Sequence, residues 1–243
     1  MNQYKNTLII GLSIMVSSFI LGQAYLNRNK TQGEIQVKGL GSKNFTSDLI
    51  IWEGQFGVQH IDIKQAYASL EQSRLKVNQY LKDKEIDVNQ LIYSAVNTRK
   101  ITKSLYSSKG DYVGDEFVGY ELKQSVKIES NEVEKVERIA REITEILNQG
   151  VEFYSESPRY YYTKLADLKV EMISKATEDA RLRAERIAQF SGGDMGNLES
   201  ARMGVFQITG QNSEEDYSWG GTYNTSSKEK TASITMILVF QVD

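Results

Sequence analysis

Hydrophobic and polar residues alternate along several segments of the chain, and this alternation predicts β-strands. It is clearest in Thr231–Val242 and in the segment that begins at Val118, where apolar side chains occupy every second position. Between Asp48 and Ile61 the alternation is imperfect and favours a bulge at Gly54 or Gly57. Extended segments are predicted at residues 34–39, 48–61, 88–105, 118–128, 151–162, 198–209 and 231–242.

Helical spacing appears in three other segments. The first is predicted from Asp62, a plausible N-cap, to about Lys84, the second from Asn131 to a left-handed stop at Gly150, and the third from about Leu165 to Phe190. The buried stripe of the first helix is predicted to contain Ala66, Leu70, Leu75 and Leu81. Because hairpins predominate, with a connection at residues 106–115, the predicted class is α+β with mostly antiparallel sheet and about three main helices.

The N-terminal region contains twenty uncharged residues, from Thr7 to Leu26. At 1.5 Å per residue a helix of this length spans about 30 Å, the thickness of a bilayer core. It is predicted as a membrane-spanning helix that remains as an anchor, and its length favours that interpretation. The alternative is a signal peptide with the core Leu8–Leu21 and a cleavage pattern at Gly22-Gln23-Ala24. Either interpretation exports the rest of the chain.

The predicted organisation therefore has four parts. Residues 1–6 form a short tail, 7–26 the anchor or signal segment, 27–33 a polar linker, and 34–243 an α+β domain that could divide into two subdomains.

Composition excludes several kinds of chemistry. The chain has no cysteine and one histidine, His60, so thiolate chemistry and histidine-rich metal sites are excluded, and His60 is expected to be a structural residue of a strand. Three of the 29 bases lie in residues 1–30, which contain no acid, so the remainder carries 26 bases and 32 acids. This acidic balance argues against nucleic acid as a partner.

Alanine recurs every fourth residue near the end of the third helix, and a glycine cluster follows at 192–196. Alanines at this spacing form a smooth helix face that can lie close to a sheet or another helix. The glycines follow the helix C-terminus, which presents carbonyl groups and the negative end of the dipole, whereas phosphate sites use helix N-termini. The cluster is therefore predicted to end a helix and not to bind phosphate.

This segment, ATEDARLRAERIAQFSGGDMGNLESA (residues 176–201), resembles the signature of the SIMPL-domain family of exported bacterial proteins. The strand opening Val118-Gly119-Tyr120, which leads toward the helix at 131–149, and the closing strand TASITMILVFQV are also similar. The resemblance covers about residues 34–242. It implies an α+β domain that faces the periplasm or the cell exterior, a tendency to self-associate, and a loose link to envelope stress. It implies no catalytic residues.

An enzyme is not expected, because the chain has no Gly-x-Ser-x-Gly elbow and its carboxylates, such as Asp111, Asp115 and Glu116, are typical of solvated loops. No cofactor or metal is expected either. The expected function is a membrane-tethered envelope protein whose domain forms a homo-oligomer or binds protein partners. The candidate interaction residues are Ala176, Ala180, Ala184, Ala188, Tyr160, Tyr161, Tyr162 and Trp219.

Two groups of these candidates also have interpretations that involve no partner. The run Tyr160–Tyr162 is typical of one strand that is half core and half surface, and the loop from Tyr217 to Tyr223 is polar enough to favour disorder. The alternative function is a domain that binds a small ligand or glycan, with Trp219 as a stacking platform.

Overall fold

A computed structural model describes residues 2–28 and 33–242, and within the first helix it describes the side chains of residues 10–25. The described residues contain the α-helices α1 (Asn2–Arg28), α2 (Ile63–Asp83), α3 (Val133–Glu142) and α4 (Leu165–Ser191), with 3-10 helices at Val88–Gln90 and Ile143–Gln149. Their strands are β1 (Gly33–Thr46), β2 (Leu49–His60), β3 (Leu91–Tyr93), β4 (Asn97–Tyr106), β5 (Tyr112–Ser130), β6 (Glu152–Ser155), β7 (Arg159–Tyr161), β8 (Met195–Met203), β9 (Gln207–Gly210) and β10 (Glu229–Val242). The predicted α+β class with antiparallel sheet is confirmed.

The described residues form two compact units. The first comprises those within 1–41, 174–204 and 235–243, and the second comprises 42–173 and 205–234.

In the first unit, β1, β10 and β8 lie side by side in that order, and the second half of α4 packs on them. All four alanines of the stripe are buried, and the alanine face of α4 approaches β1 at Gly39. A Cβ atom at Gly39 would lie 2.1 Å from the carbonyl oxygen of Ala176 and 2.5 Å from the amide nitrogen of Ala180. Small residues on both elements therefore permit this contact, which confirms that the alanine face lies close to a sheet.

The end of α4 also follows the prediction. The helix stops at Ser191, and Gly192 has a φ of +82°, a left-handed conformation that glycine adopts without strain. The amide of Gly193 donates to the carbonyl of Ala188. The glycine cluster is a helix terminus, as its position after the helix indicates.

The second unit is built on a six-stranded sheet in the order β3-β5-β2-β6, in which β4 also pairs with β5 and β7 with β2. Strand β2 pairs with β5 from Ile50 opposite Ser130 to His60 opposite Tyr120. Trp52 and Phe56 are fully buried on one face of β2, beneath α2 and α3. Asp62 caps α2 by accepting a hydrogen bond from the amide of Gln65 at 2.9 Å, as predicted.

Three local predictions for the second unit are wrong. The β2–β5 register is continuous, so no bulge occurs at Gly54 or Gly57. Gly54 instead leaves room for the ring of Phe153, which would lie 2.4 Å from an added Cβ atom. Leu75 is 59% exposed, because the buried face of α2 continues from Leu70 through Val77 to Leu81 and does not include it. The loop from Tyr217 to Tyr223 is folded by hydrogen bonds of Ser218 and Thr222 with the Gln207 side chain and is not disordered.

Several boundaries also differ from the predictions. The helix α1 extends beyond residues 7–26 at both ends, so Asn27 and Arg28 belong to it, while Gly33 opens β1. The remainder of the predicted linker, residues 29–32, and residue 1 of the tail lie outside the described residues. Strand β5 begins at Tyr112, inside the predicted hairpin connection, and residues 198–209 divide between β8 and β9.

The described side chains of α1, residues 10–25, are all exposed, including Ile10, Phe19 and Leu21 at 60–69%. Among the residues that were described, no helix combines the length and the apolar character needed to cross a membrane.

The close contact between β1 and α4 gives a first prediction. Replacing Gly39 with alanine inserts a methyl group into backbone atoms that cannot move independently, and we expect the free energy of unfolding to fall by at least about 2 kcal/mol. The matched control is Gly33→Ala on the same strand, where the nearest atom is the Cβ of Val242 at 3.5 Å. Urea unfolding of both variants measures the difference. Equal stability of the two would contradict the close packing of α4 on β1.

Candidate functional site

A two-stranded arm extends the sheet of the second unit. β5 is paired with β2 only from Tyr120 onward, whereas its pairing with β4 continues to Tyr112. In residues 112–118 of β5 both faces are accessible, and β4 is exposed along nearly its whole length. We call the segment from Asn97 to Gly119 the arm. Its outer edges, one on β4 and one on β5 before Tyr120, pair with no other strand that the structure describes.

The two strands of the arm carry opposite charges. β4 bears Arg99, Lys100 and Lys103 and no acid, whereas the arm portion of β5 bears Asp115 and Glu116 and no base. Exposed apolar side chains accompany these charges, with exposed fractions of 39–65%. They are Leu105, Tyr106, Tyr112, Val113, Phe117 and Val118. A two-stranded ribbon is marginally stable in water by itself, so these accessible apolar groups and free edges are suited to pairing with another chain.

The arm begins where β2 turns into α2. The amide of Asp62 donates to Nδ1 of His60 at 3.0 Å, and the Asp62 carboxylate caps α2, so the chain leaves the sheet at this point. Gly119 permits β5 to lie close to the end of β2, because a Cβ atom at this position would lie 2.9 Å from the carbonyl oxygen of His60. The single histidine thus ends a strand and has a structural role, as predicted.

A folded loop, residues 211–228, presents the second candidate feature. Its inner side is fixed by Gln207, whose side chain accepts hydrogen bonds from the amide of Thr222 at 2.7 Å and donates to the carbonyl of Ser218 at 2.8 Å. The Glu215 carboxylate accepts from the amide of Gly210 at 3.0 Å and from the Asn224 side chain. These buried or half-buried amides replace the aliphatic core that the loop lacks.

Trp219 lies at the tip of this loop and is 99% exposed. The turn around it is held by the amide of Gly221, which donates to the carbonyl of Ser218 at 3.1 Å, and Gly221 has a φ of +95°. Tyr217 and Tyr223 in the same loop are 67% and 44% exposed. The loop therefore holds an indole ring in solvent on an ordered backbone.

Lys230 lies beneath the loop and is 1% exposed. Its ammonium group donates to the carbonyl oxygen of Tyr160 at 2.5 Å and lies 5.9 Å from the ring centroid of Tyr223. Burial lowers the pKa of Lys230 to about 8, although the Glu215 carboxylate acts in the opposite direction. A buried ammonium with one hydrogen bond destabilises the fold at neutral pH.

The structure places most of the candidate residues inside the chain. The four alanines are at most 1% exposed and pack within the first unit, so they are not available to a partner. Tyr160 is 7% exposed, while Tyr161 and Tyr162 are half-buried, with rings near Tyr223 and Phe45 at 6.4 and 4.8 Å. Tyr160 and Tyr161 thus belong to β7 between core and surface, whereas Tyr162 follows the strand. Trp219 alone among the candidates is fully accessible.

The carboxylates considered for catalysis do not form a metal-binding group. Asp115 accepts a hydrogen bond from the Ser104 hydroxyl at 2.7 Å across the arm, and Glu116 lies opposite Lys103. Among the described residues, no three acids or histidines cluster closely enough to hold a metal ion.

Comparison with known families places the chain. Residues 35–237 match the model of the SIMPL family, described as a protein of unknown function (DUF541). The chain therefore belongs to the SIMPL family, as its alanine-spaced helix and closing strand indicate. The comparison with curated proteins found no match.

Sequence reasoning overlooked the arm. Its signal is present in the chain, because between residues 97 and 119 all bases (Arg99, Lys100, Lys103, Lys109) precede Gly110 and all acids (Asp111, Asp115, Glu116) follow it. The predicted end of β2 at residue 61 is nearly correct, but the predicted connection at 106–115 covers the first residues of β5. The pattern also does not show which residues of β5 pair with β2.

The buried lysine gives a second prediction. Between pH 8 and 10.5 the folded chain releases the Lys230 proton while the unfolded chain retains it, so this residue adds stability as pH rises through that window. The gain is about 3 kcal/mol by pH 10.5. We expect Lys230→Met to remove this gain, so that the difference in unfolding free energy between variant and wild type depends on pH there.

Urea unfolding of both proteins at pH 7.5 and pH 10 measures this difference, in which tyrosine and surface lysine titrations cancel. Lys228→Met is the matched control, because Glu137 accepts a hydrogen bond from the Lys228 ammonium and raises its pKa. A difference between Lys230→Met and wild type that is the same at both pH values would show that Lys230 stays charged in the folded state.

Proposed function

We propose that this SIMPL protein is a non-enzymatic, membrane-tethered component of the bacterial cell envelope, whose domain self-associates through the β4–β5 arm. The observation that carries the proposal is the arm itself, with two free edges, exposed apolar side chains and one strand of each charge. The association would serve a role in envelope stress, which the family resemblance suggests.

The distribution of charge selects how two arms would meet. Two β4 edges would bring Lys100 and Lys103 of one copy beside the same bases of the other, and two β5 edges would bring acids together. Pairing the basic β4 edge of one copy with the acidic β5 edge of the next places opposite charges on neighbouring strands. The favoured contact is therefore between unlike edges.

Strand direction agrees with this choice. β4 and β5 run antiparallel within the arm. If neighbouring arms point the same way, β5 of one copy runs antiparallel to β4 of the next, and each junction repeats an ordinary antiparallel pair. A contact between two different surfaces forms a ring when the rotation closes and a filament when it does not.

The membrane tether is supported by α1 and by the sequence around it. The twenty uncharged residues 7–26 are flanked by Lys5 and Arg28, and the described apolar side chains of α1 are exposed to the outside of the fold. Leaving so many apolar side chains in water is unfavourable, and a bilayer relieves that cost. The tether would hold the domain on the periplasmic or outer side of the membrane.

The second candidate function is binding of a small ligand or glycan, and Trp219 favours it. A fully exposed indole on an ordered turn can stack on a sugar ring or another flat apolar group. Beside the ring, Gly220 is open, because the nearest atom to a Cβ added there is the Ser218 hydroxyl oxygen at 3.9 Å. This function does not require the arm.

Two charge variants of the full-length chain test the self-association. Lys100→Glu/Lys103→Glu makes both strands of the arm acidic, and Asp115→Lys/Glu116→Lys makes both basic. We expect each variant alone to be monomeric because like charges then meet at every junction, and we expect an equimolar mixture to associate. Sedimentation in density-matched detergent, for wild type, each variant and the mixture, measures the masses.

The matched control is Lys82→Glu/Lys127→Glu, which changes the same net charge on α2 and on the part of β5 that lies in the main sheet. It should associate as the wild type does. A wild type that stays monomeric at all concentrations would overturn the proposal and favour the ligand-binding function at Trp219. Association of each arm variant by itself would show that the arm edges are not the contact.

A further inference from the structure

The first unit contains a groove between an edge strand and a helix. β1 has β10 on one side and, among the strands the structure describes, none on the other. The flank of α4 that carries Leu182 and Arg186 lies along this free edge, beside Gln36 and Lys38. The space between them measures 660 Å³.

The free edge presents to this groove backbone groups that pair with no other strand in the described residues. The amide of Leu40 points away from β10 and donates to the carboxylate of Asp179 on α4 at 2.9 Å. Backbone groups of alternate residues point to the same side of a strand, so the amides and carbonyls of Lys38 and Gln36 also face the groove. Asp179 satisfies one donor of the edge and leaves the next positions open.

The carboxylate of Asp179 shows which chemistry this edge accepts. The hydrogen bond from Leu40, and after it the neighbouring Arg183, lowers the pKa of Asp179. Arg183 is itself paired with Asp179 at 3.0 Å. Acidic groups are thus stabilised at this end of the groove.

Two further cations line the groove without a partner. Neither Lys38 nor Arg186 forms an ion pair with another residue in the described ranges, and both are exposed. The same groove is lined by the apolar side chains of Leu182 and Ile187, which are 52% and 48% exposed. An occupant that matches this lining has acidic and apolar groups in alternation and a backbone that can pair with an edge strand.

We propose that the groove between β1 and α4 binds an extended acidic peptide, which adds as a strand to the edge of β1. Its backbone pairs with Gln36 and Lys38, and apolar side chains on the α4 face of the sheet pack on Leu182 and Ile187. Acidic side chains on the opposite face meet Lys38, which points away from α4. Arg186 lies on the α4 side and adds to the positive potential of the groove. Strand addition supplies affinity through the main chain, and the helix flank supplies the preference for alternating side chains. The groove lies in the first unit and the arm in the second, so this inference does not rest on self-association.

A fluorescent seven-residue peptide of alternating valine and glutamate is the probe, and anisotropy with the full-length chain in mild detergent is the measurement. The same peptide with lysine in place of glutamate should bind at least about tenfold more weakly. Two N-methylated versions block the amides of one peptide edge or of the other. One of them should lose binding and the other should retain it, because a strand pairs through a single edge.

Arg186→Glu should weaken binding of the glutamate peptide by about tenfold. Its matched control is Arg181→Glu, an exposed arginine of α4 that pairs with Glu185 and does not line the groove. The control should bind within about twofold of the wild type, and empty detergent micelles should give no signal.

Three results would overturn the inference. Failure of the glutamate peptide to bind the wild type would show that the edge does not accept strands. Equal binding of both N-methylated peptides would show that the groove recognises charge and apolar surface alone, as a site for an anionic lipid would. Equal loss in Arg181→Glu and Arg186→Glu would show that the charge of α4 acts without the groove.

Discussion

Backbone hydrogen bonding at the edges of sheets is the constraint on which this structure depends. Every strand has two rows of amides and carbonyls, and each row needs a neighbouring strand, a side chain or water. In the second unit β5 has 19 residues and its central partner β2 has 12, so the pairing of the sheet ends before β5 does. The remaining length of β5 pairs with β4, and both outer edges of the resulting ribbon pair with no further strand in the described part of the chain. Proteins commonly protect such edges with charge, and here the charge is of one sign on each strand.

The first unit meets the same constraint in another way. Gly39 and the alanine face bring α4 so close to β1 that Asp179 reaches the backbone of Leu40 and satisfies one amide of the free edge. The close approach also carries the flank of α4 along the rest of that edge, where it forms one wall of a groove. The small residues that define the signature of the family in this chain therefore have a physical role. They set the distance between a helix and an edge strand.

The sequence was sufficient for features that depend on neighbours along the chain. The Asp62 cap, the left-handed stop at Gly150 and the long helix α4 each follow from a few adjacent residues and are present in the structure. Features that depend on distant residues were not predictable. Gly54 suggested a bulge because Phe153, which requires the space, is about a hundred positions away. The loop from Tyr217 to Tyr223 suggested disorder because its order comes from polar residues such as Gln207, whose partners a pattern does not reveal. The alanine face was expected to contact a partner, but β1 of the same chain covers it. The sequence pattern around the alanines does not reveal that contact, because Gly39 lies far from them along the chain.

The most direct test of the account is disulfide formation between arms of separate copies. The chain has no cysteine, so Thr102→Cys on β4 can be mixed with single cysteines at Tyr112, Val113, Phe117 or Val118 on β5, in the full-length protein under mild oxidation. A disulfide requires Cα atoms about 5.5 Å apart, the spacing of adjacent strands. Association through unlike edges predicts linked dimers in at least one mixture that combines a β4 cysteine with a β5 cysteine, and none from either variant alone. Cross-links only between identical variants, or none in any mixture, would contradict association through unlike edges of the arm.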